Sequence, residues 1–185
     1  LDVLASHFHP DHFNKEVLQW REQRPDIIYI FSKDILRHRR AQKEDAVWLK
    51  KGEEYKDETL SVRAFGSTDV GVSFLLQASG KKIFHAGDLN NWHWMDESTE
   101  AEWKGAEKNF LHELDDLYAY TPEVDVAMFP VDPRLGKEYM RGAGQFVTKI
   151  KTHIFVPMHF TPEYAKANAF RDFAEAHGVR FVSLT

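Results

Sequence analysis

Residues 6–13 read Ser-His-Phe-His-Pro-Asp-His-Phe, which places His7, His9, Asp11 and His12 within six positions. A packed core does not ask for this, since a core histidine normally stands alone. A solvated face does not either, because the neighbours are Phe8, Pro10 and Phe13 rather than Lys and Glu. The chemistry these side chains share is coordination of a divalent ion by imidazole nitrogen and carboxylate oxygen. The chain has no cysteine, so no thiolate can contribute, and the donor set suits zinc, manganese or iron.

Spacing gives this cluster a geometry. In an extended segment, side chains at i and i+2 share a face, so His7 and His9 point together. Pro10 then turns the chain toward a helix that begins near Asn14, and Asp11 and His12 project from the turn. Two other stretches carry matching groups: "FHAGD" supplies Asp88 and "VPMHF" supplies His159, each closing an apolar run. In α/β sheets, sites form where strands end and loops begin. Three such ends bearing His or Asp predict one site built from distant sequence.

The elements that must position these groups alternate along the chain. Strands are expected at "LDVLAS", at the continuous apolar run "DIIYIFS", and within "AVWLKKGEEYKDETLSVRAFGS", where a charged turn joins them. "VSFLLQASGKKIFHAGD" reads as two strands around a Ser79-Gly80 turn; "VDVAMFPV", "HIFVPM" and "VRFVSL" complete the set. Helical spacing marks "NKEVLQWREQ" before Pro25, a short "KDILRHRR", and Glu100–Leu117 with Trp103, Ala106, Phe110, Leu111, Leu114 and Leu117 in phase. It also marks "EYMRGAGQFVTKI", and "EYAKANAFRDFAEAH" with Gly178 as its C-cap. This alternation predicts a layered α/β domain.

Composition bounds the class. The chain has 185 residues, 43% hydrophobic and 14% aromatic, enough for one globular domain over residues 1–185. No apolar run is long enough to span a membrane, and a cytoplasmic location is the default expectation. A net charge of −5 argues against a dedicated nucleic-acid binder. The locally basic "KDILRHRRAQK" reads as a solvated face; its alternative reading is a patch steering an anionic substrate.

"HFHPDH" matches the H-x-H-x-D-H signature of the metallo-β-lactamase-fold hydrolases. "HAGD" resembles that superfamily's bridging-aspartate motif and "PMHF" its final histidine, in the same order. Within the superfamily the chain is most similar to the L-ascorbate-6-phosphate lactonase-like group; "STDVGVSFLL" and "IFHAGDLNNWHW" look like an uncharacterised bacterial branch of it. The resemblance implies a four-layer αββα sandwich and a hydrolase with one or two zinc-like ions, manganese or iron being alternatives. It assigns His7 and His9 to the first ion, Asp11, His12 and His159 to the second, and Asp88 as a bridge. Asp11 and Asp88 are the implied catalytic carboxylates, with Asp11 orienting the attacking water. The expected substrate is a small ester, lactone or phosphodiester. A catalytically weak metal-binding or regulatory protein, or a nuclease, are the alternatives. A homo-oligomer is compatible with all of them.

The resemblance also places a set of strands ahead of the histidine-rich strand, so further residues are expected before Leu1. Where the family has a histidine in a glycine-rich loop, this chain has "GSTDVGVSF", with Ser67 at the histidine's place. The first ion therefore lacks a ligand. Asp69 is either its replacement or a turn residue capping the Gly71 corner. On this reading the first site binds more weakly than the second and tolerates oxygen-preferring metals such as manganese.

Other candidates carry two readings. His93, in "NNWHW", is a substrate contact or a packed residue between Trp92 and Trp94. In "PVDPRLG", Asp132 and Arg134 form a turn with an internal ion pair, or a pocket loop whose arginine meets an anion. His85 reads as a supporting residue, and His38, His112, His153 and His177 as surface or capping residues. "GAG" at 142–144 lacks the context of a dinucleotide fingerprint.

Overall fold

The structure, a computed structural model, describes residues 1–185. Three strands, β1 (Asp2–Ala5), β2 (Ile28–Ser32) and β3 (Val47–Leu49), form a small parallel sheet in that order. Seven form a large sheet: β4 (Glu54–Lys56), β5 (Leu60–Phe65), β6 (Ser73–Ala78), β7 (Lys81–His85), β8 (Glu123–Pro130), β9 (Lys151–Met158) and β10 (Arg180–Phe181). Its spatial order is β10-β9-β8-β7-β6-β5-β4, antiparallel from β4 to β7 and parallel from β7 to β10. Ser79 and Gly80 join β6 to β7, both with positive φ (50° and 73°), as a tight hairpin turn of two residues requires.

Strand alternation decides which layers meet. In β2, Tyr29 and Phe31 face one way and pack with Ala5, Phe13 and Ile35, the last from helix α1 (Lys33–Arg37). Ile30 faces the other way and packs with Leu49 of β3 and with Leu60, Val62, Ala64 and Phe74 of the large sheet. That second cluster is the core between the two sheets. The outer face of the large sheet presents Leu75, Phe84, Val124, Ala127, Phe129 and Phe155. Helix α2 (Glu100–Tyr120) covers it with Phe110, Leu114 and Leu117, and α3 (Arg141–Lys149) with Phe146. The run from Ile27 to Phe31 is apolar because β2 is buried on both faces. Helix, sheet, sheet, helix is the four-layer sandwich expected.

The remaining helices depart from expectation in two places. "NKEVLQWREQ" is a 3-10 helix, Lys15–Glu22, with no buried residue and Trp20 exposed. Asn14 caps it by accepting from Glu16 N–H at 3.0 Å. The Tyr29 hydroxyl takes the Val17 carbonyl, an acceptor that an α-helix would spend on its own backbone. The expected C-terminal helix is two: α4 (Tyr164–Asn168) and α5 (Arg171–Ala176). Asn168 is tied to Leu184 through both amide atoms, at 2.9 and 3.1 Å, while Phe170 is driven fully into the core. Those two demands are met by a break between the helices. Strand β10 pairs over Arg180–Phe181 only. No helix is long and apolar enough to cross a membrane.

Candidate metal centre

The small sheet delivers the first cluster. After β1 the chain runs out through Ser6, and the His9 carbonyl accepts from His12 N–H (3.0 Å) and Phe13 N–H (2.8 Å). This closes the turn that Pro10 starts, and it brings His7 and His9 edge to face with ring centroids 4.8 Å apart. The His7 and His12 rings lie 4.0 Å apart. From α1, Asp34 accepts the Phe8 N–H at 2.9 Å and pins the loop.

Two glycines let neighbouring loops cross this segment. Gly71 has φ +77°, and a Cβ there would lie 2.1 Å from the Ser6 carbonyl oxygen and 2.5 Å from His7 Cβ. Gly87 has φ +55°, and its Cβ would meet Ser6 Cβ at 2.9 Å. Both the left-handed backbone and the close approach exclude a side chain. The turn at Gly87, whose N–H donates to His85 Nδ1 at 3.1 Å, carries the chain from β7 to Asp88. Burial first, then the neighbouring His12, push the His85 pKa down.

Asp88 is the meeting point. Its Oδ2 lies 3.2 Å from His7 Nε2, and its Oδ1 lies 3.1 Å from His12 Nε2 and 3.4 Å from His159 Nε2. Burial pushes its pKa up, but the imidazoles of His12 and His7 outweigh this and hold it well below the usual carboxylate range. Yet His7 Nε2 and Asp88 Oδ1, both buried, make no hydrogen bond of acceptable geometry. Orphaned buried polar atoms of this kind cost ~1–3 kcal/mol each unless something else engages them. Six ligand atoms gather in two sets, His7, His9 and Asp88, and Asp11, His12 and His159, with the atoms of each set within 4.8 Å of one another. Nitrogen and oxygen donors converging on orphaned atoms fit a divalent ion, and they are the six residues the sequence singled out.

His159 follows β9 directly with φ +60°, a strained conformation for a side chain other than glycine. Its Nδ1–H donates to Asp132 Oδ2 at 3.0 Å, leaving Nε2 to face Asp88. Arg134 grips the same carboxylate, with Nε at 3.0 Å from each oxygen and Nη2 at 2.5 Å. Burial pushes Asp132 up, but the bonds from His159 and Arg134 prevail and bring its pKa to about 2. The bond to Asp132 raises the His159 pKa in turn, against burial, which lowers it. Asp132 is fully buried behind His159 and outside the cavity lining, and the internal ion pair with Arg134, one of its two expected readings, is present.

His93 takes the packed one of its two readings. It is 1% exposed, its Nε2–H donates to the Glu138 carbonyl at 3.2 Å, and its Nδ1 accepts the Met95 N–H at 3.1 Å. With both nitrogens engaged it packs behind the wall. Trp92 and Trp94 form that wall instead, stacked at 16° with centroids 6.4 Å apart. They line a cavity of about 400 Å³ together with His9, Asp11, Thr68, Asp69, Asp88, Arg134 and His159. Trp92 donates its indole N–H to the Asp88 carbonyl at 2.8 Å and sets its edge against His159. Asp69 is exposed on the cavity, outside both ligand sets; its N–H donates to Ser67 Oγ at 3.3 Å. His38, His112, His153 and His177 are on the surface, where the His177 ring donates its Nδ1–H to the Phe173 carbonyl of its own helix turn at 2.8 Å.

Residues 1–160 match the beta-lactamase superfamily domain. No curated protein matches the chain. Among solved structures it is similar to Igni18, described as a novel metallo hydrolase from the hyperthermophilic archaeon Ignicoccus hospitalis. The two are 19% identical over 99% of this chain and 75% of that one, with a TM-score of 0.64. The metallo-β-lactamase fold protein YhfI from Bacillus subtilis is 10% identical over 98% of this chain and 73% of its own, with a TM-score of 0.63. CmlA, a diiron β-hydroxylase from Streptomyces venezuelae, is 14% identical over 97% of this chain and 43% of its own, with a TM-score of 0.62. At these identities the likeness is one of fold. Together with the family match and the ligand geometry it leads to one conclusion: the chain belongs to the beta-lactamase superfamily domain family, that of the metallo-β-lactamase-fold, metal-dependent hydrolases.

Proposed function

We propose that this chain is a hydrolase that uses one or two zinc-like ions against an ester, lactone or phosphodiester of a small substrate. The observation that carries the reading is the pair of ligand sets meeting at Asp88, whose Oδ1 and neighbour His7 Nε2 are buried without hydrogen bonds. His7, His9 and Asp88 would hold one ion; Asp11, His12 and His159 the other, with Asp88 between them. When bound, the ions supply Lewis acidity and lower the pKa of a water. Zinc is the first choice for this nitrogen-rich set, and manganese and iron are compatible with it.

The chain's own residues do the rest. Asp88, held ionised, offers both oxygens as acceptors. Asp11, exposed on the cavity, would orient the attacking water and accept its proton. Trp92 and Trp94 shield one side of the cavity from bulk water, and Arg134, half-exposed beside His159, presents a guanidinium toward an anionic group on the substrate. This arrangement suits the lactonase-like branch to which the motifs are similar.

A regulatory or slow-turnover metal protein is the second reading, and one observation favours it: each ligand set has only two imidazoles. The deciding experiment strips the protein of metal, restores zinc, manganese or iron, and measures turnover on esters, lactones and phosphodiesters, with RNA as a further arm. Metal-dependent turnover of one small-substrate class supports the hydrolase. Stoichiometric metal with no turnover supports the second reading, and RNA cleavage the nuclease.

A further inference from the structure

Ser6 stands between the two ligand sets and belongs to neither. Its Oγ lies 3.1 Å from His7 Nδ1 and 3.4 Å from His12 Nδ1. His7 belongs to the first set and His12 to the second. We propose that Ser6 is a positioning residue shared by both metal sites, its one hydroxyl fixing the tautomer and ring orientation of His7 and His12 together. The inference rests on the two-ion reading above.

The argument is one of lone pairs and protons. Each Nε2 faces Asp88, so a ligand role requires Nε2 to be bare and the ring proton to sit on Nδ1. Ser6 Oγ is the partner both Nδ1 atoms have. A hydroxyl oxygen carries two lone pairs and can accept two N–H bonds at once. Ser6 accepting from both rings therefore locks both in the ligand tautomer. Its own proton cannot serve this purpose for more than one ring, which is why the accepting role, not the donating one, joins the two sites.

The site is built to hold that hydroxyl still. Ser6 is 4% exposed. Its carbonyl accepts the Val72 N–H at 3.0 Å, and the two left-handed glycines, Gly71 and Gly87, pack against its backbone and Cβ. A Cβ on Gly87 would stand 3.1 Å from Oγ itself. His159, by contrast, takes its Nδ1 partner from Asp132, and the Ser6 hydroxyl bonds His7 and His12 but not His9. This gives the test its internal controls.

Zinc affinity is measured by competition with a chelator on wild type, Ser6→Ala and Asp132→Asn, alongside long-range ¹H–¹⁵N spectra of the histidine rings and thermal melting of the metal-free proteins. Loss of a partner behind a ligating histidine weakens metal binding by roughly 10–100-fold. Ser6→Ala is expected to weaken both binding steps by at least about 10-fold. It should also move the Nδ1 signals of His7 and His12 while leaving His9 and His159 in place. Asp132→Asn should weaken one step and move His159 alone. Ser6→Ala removes only a hydroxyl, and metal-free melting at the wild-type temperature will show that the fold is kept. Unchanged affinities and ring signals in Ser6→Ala, with wild type binding zinc, overturn the inference alone. A wild type that takes up no metal overturns the two-ion reading and this inference with it.

Discussion

His159 and Asp132 are joined at 3.0 Å through the ring nitrogen that points away from the ligand cluster. The bond sets His159 in the tautomer whose Nε2 faces Asp88, and Asp132 is itself held by Arg134. A buried carboxylate just beyond β8, outside the cavity lining, is thus bonded to a histidine just beyond β9.

This relationship has a sign in pH. The His159 pKa is raised above its ordinary 6.5, so the stability it draws from Asp132 is complete below the unfolded value and lost as pH rises through the folded one. Metal binding runs the opposite way, because the ion must displace the proton. Affinity at the second ligand set should therefore fall with acidification starting above pH 6.5, and Asp132→Asn should shift that fall to lower pH. Zinc titrations from pH 5 to 8 on both proteins check it; superimposable pH profiles count against it.

Asp88→Ala should remove turnover and disturb both ligand sets, since Asp88 lies within 3.4 Å of His7, His12 and His159. Metal content and turnover are measured together. Full metal content with wild-type turnover would sink the bridging role.

Asp69 is exposed on the cavity, lining it together with His9 and Asp88 of the first ligand set but outside both sets. Asp69→Asn is expected to weaken manganese more than zinc, because carboxylate oxygen matters most to the harder ion. Equal, unchanged affinities for the two metals would make Asp69 a loop residue only.

Gly71→Ala should destabilise the fold by about 2 kcal/mol or more, combining a left-handed alanine with a Cβ driven into the Ser6 carbonyl. Gly80→Ala is the control: its φ is also positive, but nothing lies within 4 Å of its Cβ. Denaturant melts should show the larger loss at Gly71; equal losses would mean that crowding at Ser6 adds nothing.

Much of the centre was legible because ligation constrains residue type. His7, His9, Asp11 and His12 are too close in sequence to be accidental, and Asp88 and His159 close apolar runs whose strand character alternation makes plain. Ser6 was not legible, because a serine before a histidine has no signature until two ring nitrogens are seen converging on it. Trp92 and Trp94 read as packing residues and line the cavity, whereas His93 between them, open to either reading from the sequence, is buried. Neighbours in an irregular loop have no fixed period to tell wall from interior. The 3-10 helix Lys15–Glu22 escaped for a similar reason: the hydroxyl that competes for the Val17 carbonyl comes from Tyr29, on another element.

The most direct measurement is elemental analysis of purified protein paired with hydrolysis before chelation, after it, and after metal is restored. The account predicts one to two equivalents of zinc, manganese or iron per chain, turnover abolished by the chelator, and recovery when the ion returns. Metal-free protein that hydrolyses its substrate undiminished in the presence of chelator would contradict it.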